Sequence, residues 1–206
     1  MPNIFKNKNI LVTGGAGSIG SQIVKQLLTF DPKAIRVLER SEAAHFRLNQ
    51  EVSSSKIRNL VGDICDRDRL QHAMRGIDIV FHAAAMKHVP LCEYNPFEAI
   101  RTNILGTQNL VDAAREHEIE RFVSISTDKA VNPTSTMGAT KLLGEKIVTN
   151  AAISEKKVRF CCVRFGNVLA SSGSVIPVFE KQIRDGNVVT VTSVEMTRFF
   201  MGIDDA

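Results

Sequence analysis

Apolar residues along this chain come in two rhythms that alternate from the first residues onward. Short runs such as Ile10-Leu11-Val12 are apolar throughout, as strands covered on both faces require. Between them lie stretches with apolar residues at steps of three and four, such as Ile23, Val24, Leu27 and Leu28, the mark of a helix with one buried face. The pattern predicts strands at about 9–13, 34–39, 57–61, 77–82, 121–126 and 158–165. It predicts helices from about residue 18 to 30, over 42–51, over 67–74, as one long element over 96–116, and over 136–150. Asp31-Pro32 stops the first of these. Strand alternating with helix throughout means right-handed crossovers, hence an α/β fold with a mostly parallel, doubly wound sheet and helices on both faces. No repeat or linker interrupts it, so residues 1–165 are expected to form one domain.

Between the first strand and first helix stands Thr13-Gly14-Gly15-Ala16-Gly17-Ser18-Ile19-Gly20. Gly15, Gly17 and Gly20 satisfy G-x-G-x-x-G, and Gly14, Gly17 and Gly20 satisfy G-x-x-G-x-x-G. A strand before it and a helix after it are the context that turns a glycine-rich connector into a dinucleotide fingerprint of the Rossmann type. The glycines allow a tight turn and close approach of a pyrophosphate to the helix's first amides. Glu39 ends the second strand 19 residues past Gly20, where such a fold places the acid that binds the adenosine ribose. Arg40 beside it could instead hold a 2′-phosphate, so the pair favours NAD and keeps NADP as the alternative. Asp63-Ile64 sits at the carboxyl end of the third strand, as a ligand contact or a helix cap. Ala83-Ala84-Ala85 after the fourth strand leaves room for a flat cofactor.

Composition narrows the partners. A formal charge of +4 with bases scattered among acids, and no basic run, argues against nucleic acid. The four cysteines form no C-x-x-C pair, and Cys161-Cys162 read as buried strand residues. Reduced thiols, a cytoplasmic setting and no metal site are therefore expected. No stretch approaches a membrane span, and no signal peptide precedes the first strand. His82 and His88 lack a third ligand and read as structural. Thr102-Asn103, in the middle of the long helix, would ordinarily face solvent or bond back to the helix.

The remaining polar cluster is Ser126-Thr127-Asp128-Lys129 at the end of the fifth strand, with Lys141 on the next helix. It is placed for catalysis, though it could merely cap a helix. With the glycine loop, these residues resemble the extended short-chain dehydrogenase/reductase superfamily. Four further segments narrow the resemblance: Phe81-His82-Ala83-Ala84-Ala85-Met86-Lys87-His88-Val89-Pro90, Arg101-Thr102-Asn103-Ile104-Leu105-Gly106-Thr107, Ser126-Thr127-Asp128-Lys129-Ala130-Val131-Asn132-Pro133 and Arg164-Phe165-Gly166-Asn167-Val168. With them the chain is similar to the bacterial polysaccharide-biosynthesis nucleotide-sugar 4,6-dehydratases, and most to those acting on UDP-N-acetylglucosamine, C5-inverting members included.

The resemblance implies a reaction in which NAD(P) takes a hydride from sugar C4, a base removes the acidified C5 proton, an acid expels the C6 hydroxyl, and the hydride returns to C6. It makes Lys129 the C5 base and Asp128 the C6 acid, and gives Thr127 and Lys141 to the hydride step, Lys141 also bonding the nicotinamide ribose. It assigns the cofactor to Gly14, Ala16, Gly17, Ser18, Ile19, Gly20, Glu39, Arg40, Ser41, Asp63, Ile64, Ala83, Ala84, Lys87 and Lys141. The nucleotide sugar falls to Lys87, Thr102, Asn103, Asn167 and Val168. Residues 166–206 are expected to begin the nucleotide-sugar-binding region, which related proteins complete with a further subdomain. Family members commonly assemble as homo-oligomers through helices flanking the sheet. One position departs from the superfamily: Met137-Gly138-Ala139-Thr140-Lys141 has methionine where Tyr-x-x-x-Lys has its phenol, and methionine transfers no proton. An epimerase and a catalytically silent NAD(P)-binding module are the competing readings.

Overall fold

Side chains alternate across a strand, so each strand here must satisfy two cores. Ile10 and Val12 point one way, with Ile35, Val37 and Ile79, and meet Val24, Leu27 and Leu48. Leu11 points the other way, with Leu38, Val80 and Phe122, and meets Leu70, Met74, Leu110 and Val148. Helices therefore cover both faces. A computed structural model of the chain, which describes residues 2–169, 175–191 and 193–203, gives the strands as β1 (Asn9–Thr13), β2 (Ala34–Glu39), β3 (Ile57–Val61), β4 (Ile79–His82), β5 (Arg121–Thr127) and β6 (Arg159–Phe165). They form one sheet in the order β3-β2-β1-β4-β5-β6. Parallel ladders join β1 to β2 and to β4, β2 to β3, and β4 to β5. The order reverses between β1 and β4, and the crevice beyond their carboxyl ends is where such sheets bind ligands.

The helices α1 (Ser18–Thr29) and α2 (Glu42–Glu51) cover one face, and α3 (Arg67–Met74), α6 (Gly106–Glu116) and α7 (Thr136–Ser154) the other. Local chemistry sets where they begin: the side chains of Ser41, Asp66 and Ser135 accept amide protons at the starts of α2, α3 and α7. Asp63 is not the cap of α3. Its Oδ1 instead accepts from the Cys65 amide at 2.9 Å, which leaves the capping to Asp66 three residues on.

The long helix expected over 96–116 is three elements, and a short α4 (Val89–Tyr94) precedes it. α5 (Pro96–Ile100) leads into a π-helical turn, Arg101–Leu105, where the Gly106 amide bonds back five residues to the Arg101 carbonyl. The wider turn shifts the helical phase and buries Asn103, which the sequence pattern had facing solvent or its own helix. Cys161 is likewise exposed rather than buried. It lies with Arg159 and Val163 on the outer face of the edge strand β6, while Phe160 takes the inner face. All four cysteines are free.

The chain divides into two compact units, Met1–Arg164 and Phe165–Ala206. In the second, β7 (Asn167–Val168) pairs in parallel with β8 (Phe200–Met201), and α8 (Val175–Arg184) lies between them in sequence.

The glycines after β1 are not equivalent. A Cβ on Gly20 would lie 2.1 Å from the Gly14 carbonyl oxygen, so α1 can approach the loop this closely only without a side chain there. Gly14 has φ +63° and its missing Cβ would meet the Ala84 backbone at 2.7 Å. A Cβ on Gly17 would meet only the Gly14 oxygen at 3.3 Å. Gly20→Ala is therefore expected to cost about 2 kcal/mol or more through overpacking, and Gly17→Ala well under half of that. Urea denaturation of the two variants side by side checks the order.

Candidate functional site

Beyond the carboxyl ends of β1, β2 and β4 lies a cavity of about 360 Å³. The glycine loop supplies Gly14, Gly17, Ser18, Ile19 and Gly20, and the end of β2 supplies Glu39 and Arg40. Asp63, Ile64, Ala83, Ala84, Ala85, Lys87 and Thr102 complete it, together with Leu38, Gly62, Met86, His88 and Leu91, which sequence reasoning did not assign to the site. Nearly all the expected cofactor residues thus meet around one space. Ala16, Ser41 and Lys141 do not line it. The Ala16 methyl packs into the core beside α1, and Ser41 caps α2.

The residues present fit a dinucleotide. The open side of Gly17 offers backbone to an anion where a side chain would stand, at the amino end of a twelve-residue helix. Glu39 accepts the Ser41 amide at 3.2 Å through Oε1, which orients its carboxylate at the edge of the cavity. Burial lowers the Lys87 ammonium below its ordinary range and so favours a partner that brings negative charge.

What holds the wall of alanines in place is a buried polar network centred on His82. Its Nδ1 lies 2.8 Å from Thr13 Oγ1, and its Nε2 lies 3.0 Å from Thr107 Oγ1. Thr107 gives its own proton to the Asn103 carbonyl at 2.8 Å, so it accepts from Nε2–H, and Nδ1 accepts from Thr13. The ring is therefore neutral, with one fixed tautomer. Burial, helped by the charge of Lys141, pushes its pKa down to about 3. Both ring nitrogens of His82 are thus taken by protein hydroxyls, and among the described residues no group of three or more His, Cys, Asp and Glu is placed to hold a metal.

Asn103, 3% exposed, extends the network. Its Oδ1 accepts from the Met86 amide at 2.8 Å, while Nδ2 donates to the Met86 carbonyl and to Thr140 Oγ1, both at 3.0 Å. Every polar atom of the amide is spent on protein, so Asn103 positions the segment Ala83–Lys87 against α7. Thr102, its neighbour, is the one that reaches the cavity. Nothing in the sequence distinguished the two.

Thr127, Asp128 and Lys129 form a ring of contacts at the end of β5. Thr127 Oγ1 donates to Asp128 Oδ1 at 2.9 Å and accepts the Lys129 amide at 3.3 Å, and Lys129 Nζ donates to Asp128 Oδ1 at 3.0 Å. Partial burial works to raise the Asp128 carboxyl, but the hydrogen bonds from Lys129 and Thr127 outweigh it and hold it below the usual carboxylate range. Gly138 lets α7 approach: its Cβ would stand 2.4 Å from the Lys129 carbonyl oxygen. Met137, 4% exposed, packs with Cys92 and Ala99, so its thioether belongs to a small apolar core.

Lys141 projects from α7 beneath this strand end and donates to the Ile125 carbonyl at 2.7 Å. Burial lowers its pKa to about 8, against the opposing charge of Glu145. Glu145, one turn on, is held in a two-bond fork by Arg164, at 2.9 and 2.7 Å. Asn167 and Val168 belong to the second unit, where they form β7.

The pattern of a family described as polysaccharide biosynthesis protein matches residues 10–206. The chain is 56% identical over 206 residues to an uncharacterized membrane protein of Methanocaldococcus jannaschii, MJ1061, covering 99% of this chain and 62% of that one. It is 44% identical to the inverting UDP-N-acetylglucosamine 4,6-dehydratase of Campylobacter jejuni, over 98% of this chain and 62% of that one. UDP-glucose 4-epimerase of Rickettsia akari is 41% identical, with 98% and 61% covered. Among solved structures, DesIV of Streptomyces venezuelae, a dTDP-glucose 4,6-dehydratase with NAD and TYD bound, superposes with a TM-score of 0.87 at 27% identity, over 96% of this chain and 69% of that one. The chain thus spans about 62% of the length of these curated relatives, which are nucleotide-sugar dehydratases and epimerases where their activity is named. Among the described residues no helix is long and apolar enough to cross a membrane.

A lysine whose pKa falls on folding weakens the native state while both states are protonated. That penalty is full below about 8 and disappears as pH rises to the ordinary lysine range. Lys141→Met is therefore expected to be more stable than wild type at pH 7, by about 2–3 kcal/mol. The gap closes between pH 8 and 10.5, which paired denaturant titrations at the two ends measure.

Proposed function

From the premise that this chain belongs to the polysaccharide biosynthesis protein family, we propose that it carries the cofactor site and reactive strand end of an NAD-dependent 4,6-dehydratase acting on UDP-N-acetylglucosamine. One observation carries the reading: Asp128 and Lys129 stand paired at the carboxyl end of β5, on the sequence segment that holds Thr127 and faces α7 with Lys141. An elimination needs an acid for the departing hydroxyl and a base for the acidified proton, and a simple 4-epimerisation needs neither.

Bound in the cavity at the glycine loop, NAD supplies a hydride acceptor that later becomes the donor. The chain's own residues do the rest. Gly17 and the first turn of α1 receive the pyrophosphate, Glu39 the adenosine ribose, and Lys87 and Thr102 border the path between cofactor and sugar. Lys141, with a pKa near 8, holds the nicotinamide ribose by donating protons. Lys129 takes the C5 proton, and Asp128 gives a proton to the C6 oxygen. With Met137 in an apolar core, the C4 hydroxyl proton has no phenol to go to, and Asp128 and Lys129 are the ionisable groups at hand. Residues 166–206, with Asn167 and Val168, are read as the start of the nucleotide-sugar region.

Incubation with NAD and UDP-N-acetylglucosamine, followed by NMR, tests the reading. A 4-keto-6-deoxy sugar is expected. Inversion at C4 alone would make the chain an epimerase, and bound NAD without turnover would make it a silent dinucleotide module. The cofactor preference has its own check. Glu39→Ala removes the ribose acceptor and the repulsion of a 2′-phosphate together, so calorimetry should show the NAD-over-NADP preference narrowed by about tenfold or more, the value of one lost charge-assisted hydrogen bond.

A further inference from the structure

The acid and the base of the proposed elimination are in the wrong protonation states in this structure. Lys129 Nζ and Asp128 Oδ1 meet at 3.0 Å as an ion pair, with side chains 38% and 43% exposed. An ammonium takes no proton, and a carboxylate gives none. Each group lacks what the other holds. Thr127 Oγ1 and Lys129 Nζ converge on the same carboxylate oxygen, so the lysine proton already lies along the line to Oδ1. The backbone of the pair is fixed as well, since Lys129 is clasped between the Thr127 hydroxyl and the N-terminus of α7 at Gly138.

We propose that Asp128 and Lys129 act as one proton-exchanging unit, in which the Lys129 proton passes to Asp128 when bound substrate strips water from the pair. The proposal rests on the dehydratase reading. Its balance is closed: the ammonium and carboxylate become amine and carboxylic acid by one internal transfer. The amine then takes the C5 proton, and the electron pair of that C–H bond forms the C5–C6 double bond. The acid protonates the C6 oxygen as the C–O bond breaks, and water leaves. The pair ends as ammonium and carboxylate, its starting state, with no proton drawn from solvent. Hydration favours the charged pair in the open site, and removal of water disfavours two ions more than two neutral groups.

The ionisable groups on the elements around the pair are engaged elsewhere. Lys141 on α7 donates to the Ile125 carbonyl, Glu145 is forked with Arg164, and Glu93 on α4 binds the amide and hydroxyl of Thr136. Asp128 is thus an acceptor for the Lys129 proton within hydrogen-bond reach.

The test follows deuterium entry at C5 of UDP-N-acetylglucosamine in heavy water, with NAD present, across pH 6.5–9.5, and cofactor reduction by absorbance in the same samples. Wild type should exchange at a rate nearly independent of pH. In Asp128→Asn the lysine has lost its acceptor and must shed its proton to solvent. Exchange should fall at least tenfold at pH 7 and recover about tenfold per pH unit. Lys129→Met should show no exchange at any pH. Wild-type rates in Asp128→Asn, or a tenfold rise per unit in wild type itself, would overturn the proposal. So would a parallel loss of cofactor reduction, which would put Asp128 at C4. Absence of C5 exchange in wild type is a separate result, and it would remove the dehydratase reading along with the inference.

Discussion

The geometry of the cavity depends on one buried imidazole. His82 ends β4, and through Thr13 it is tied to the end of β1, while through Thr107 it is tied to α6. The glycine loop starts at Thr13 and the alanine wall starts at Ala83, so the two sides of the cavity are set by the same ring. A neutral ring with one proton can serve one donor and one acceptor, and the hydroxyl of Thr107 decides which nitrogen holds it. Such networks fix structure strongly because each unsatisfied member would be costly in a dry interior. Asn103 carries the same logic one step further, from the π-helical turn across to Met86 and Thr140. The alanine segment, the π-helical turn and α7 are thus joined by hydrogen bonds whose directions are all determined.

Local rules made most of the scaffold legible. The apolar runs placed the strands, and the glycine loop with Glu39 placed the cofactor cavity, because a tight turn and an acid at a fixed remove leave a trace in the chain itself. Long-range choices left no such trace. Whether Thr102 or Asn103 faces the cavity is decided by a π-helical turn, and an apolar period read at 3.6 residues cannot register one extra residue in a single turn. The exposure of Cys161 likewise depends on β6 being the last strand of the sheet, which is a matter of order in space. Ala16 stands in the glycine loop and Ser41 follows Glu39 and Arg40, yet Ser41 caps a helix and Ala16 fills the core. A motif records that a segment is special without saying which of its members touch the ligand.

Charge is handled in two ways near the carboxyl end of β5. Glu145 is buried, and Arg164 meets it with a planar two-bond fork, so its charge is fixed. Lys141 is one turn away in the same dry region, with its amine aimed at a carbonyl. Asp128 and Lys129 are paired in a site open to water, where a short contact holds them without fixing either charge permanently. The first arrangement suits positioning, and the second suits groups that must change state.

The π-helical turn makes chain length part of the specification of this protein. Between Ile100 and Gly106 the backbone holds one residue more per turn than an α-helix would. Removing any single residue there would let the helix close into regular form: α5 and α6 would keep nearly their present phase, while the residues left in the turn would be redistributed about the axis at about 100° each. Asn103 or its replacement would then leave Met86, even if every remaining side chain were unchanged. Substitutions in this segment can be judged residue by residue, whereas a deletion alters its phase. Relatives that keep the cavity should vary here in composition far more readily than in count.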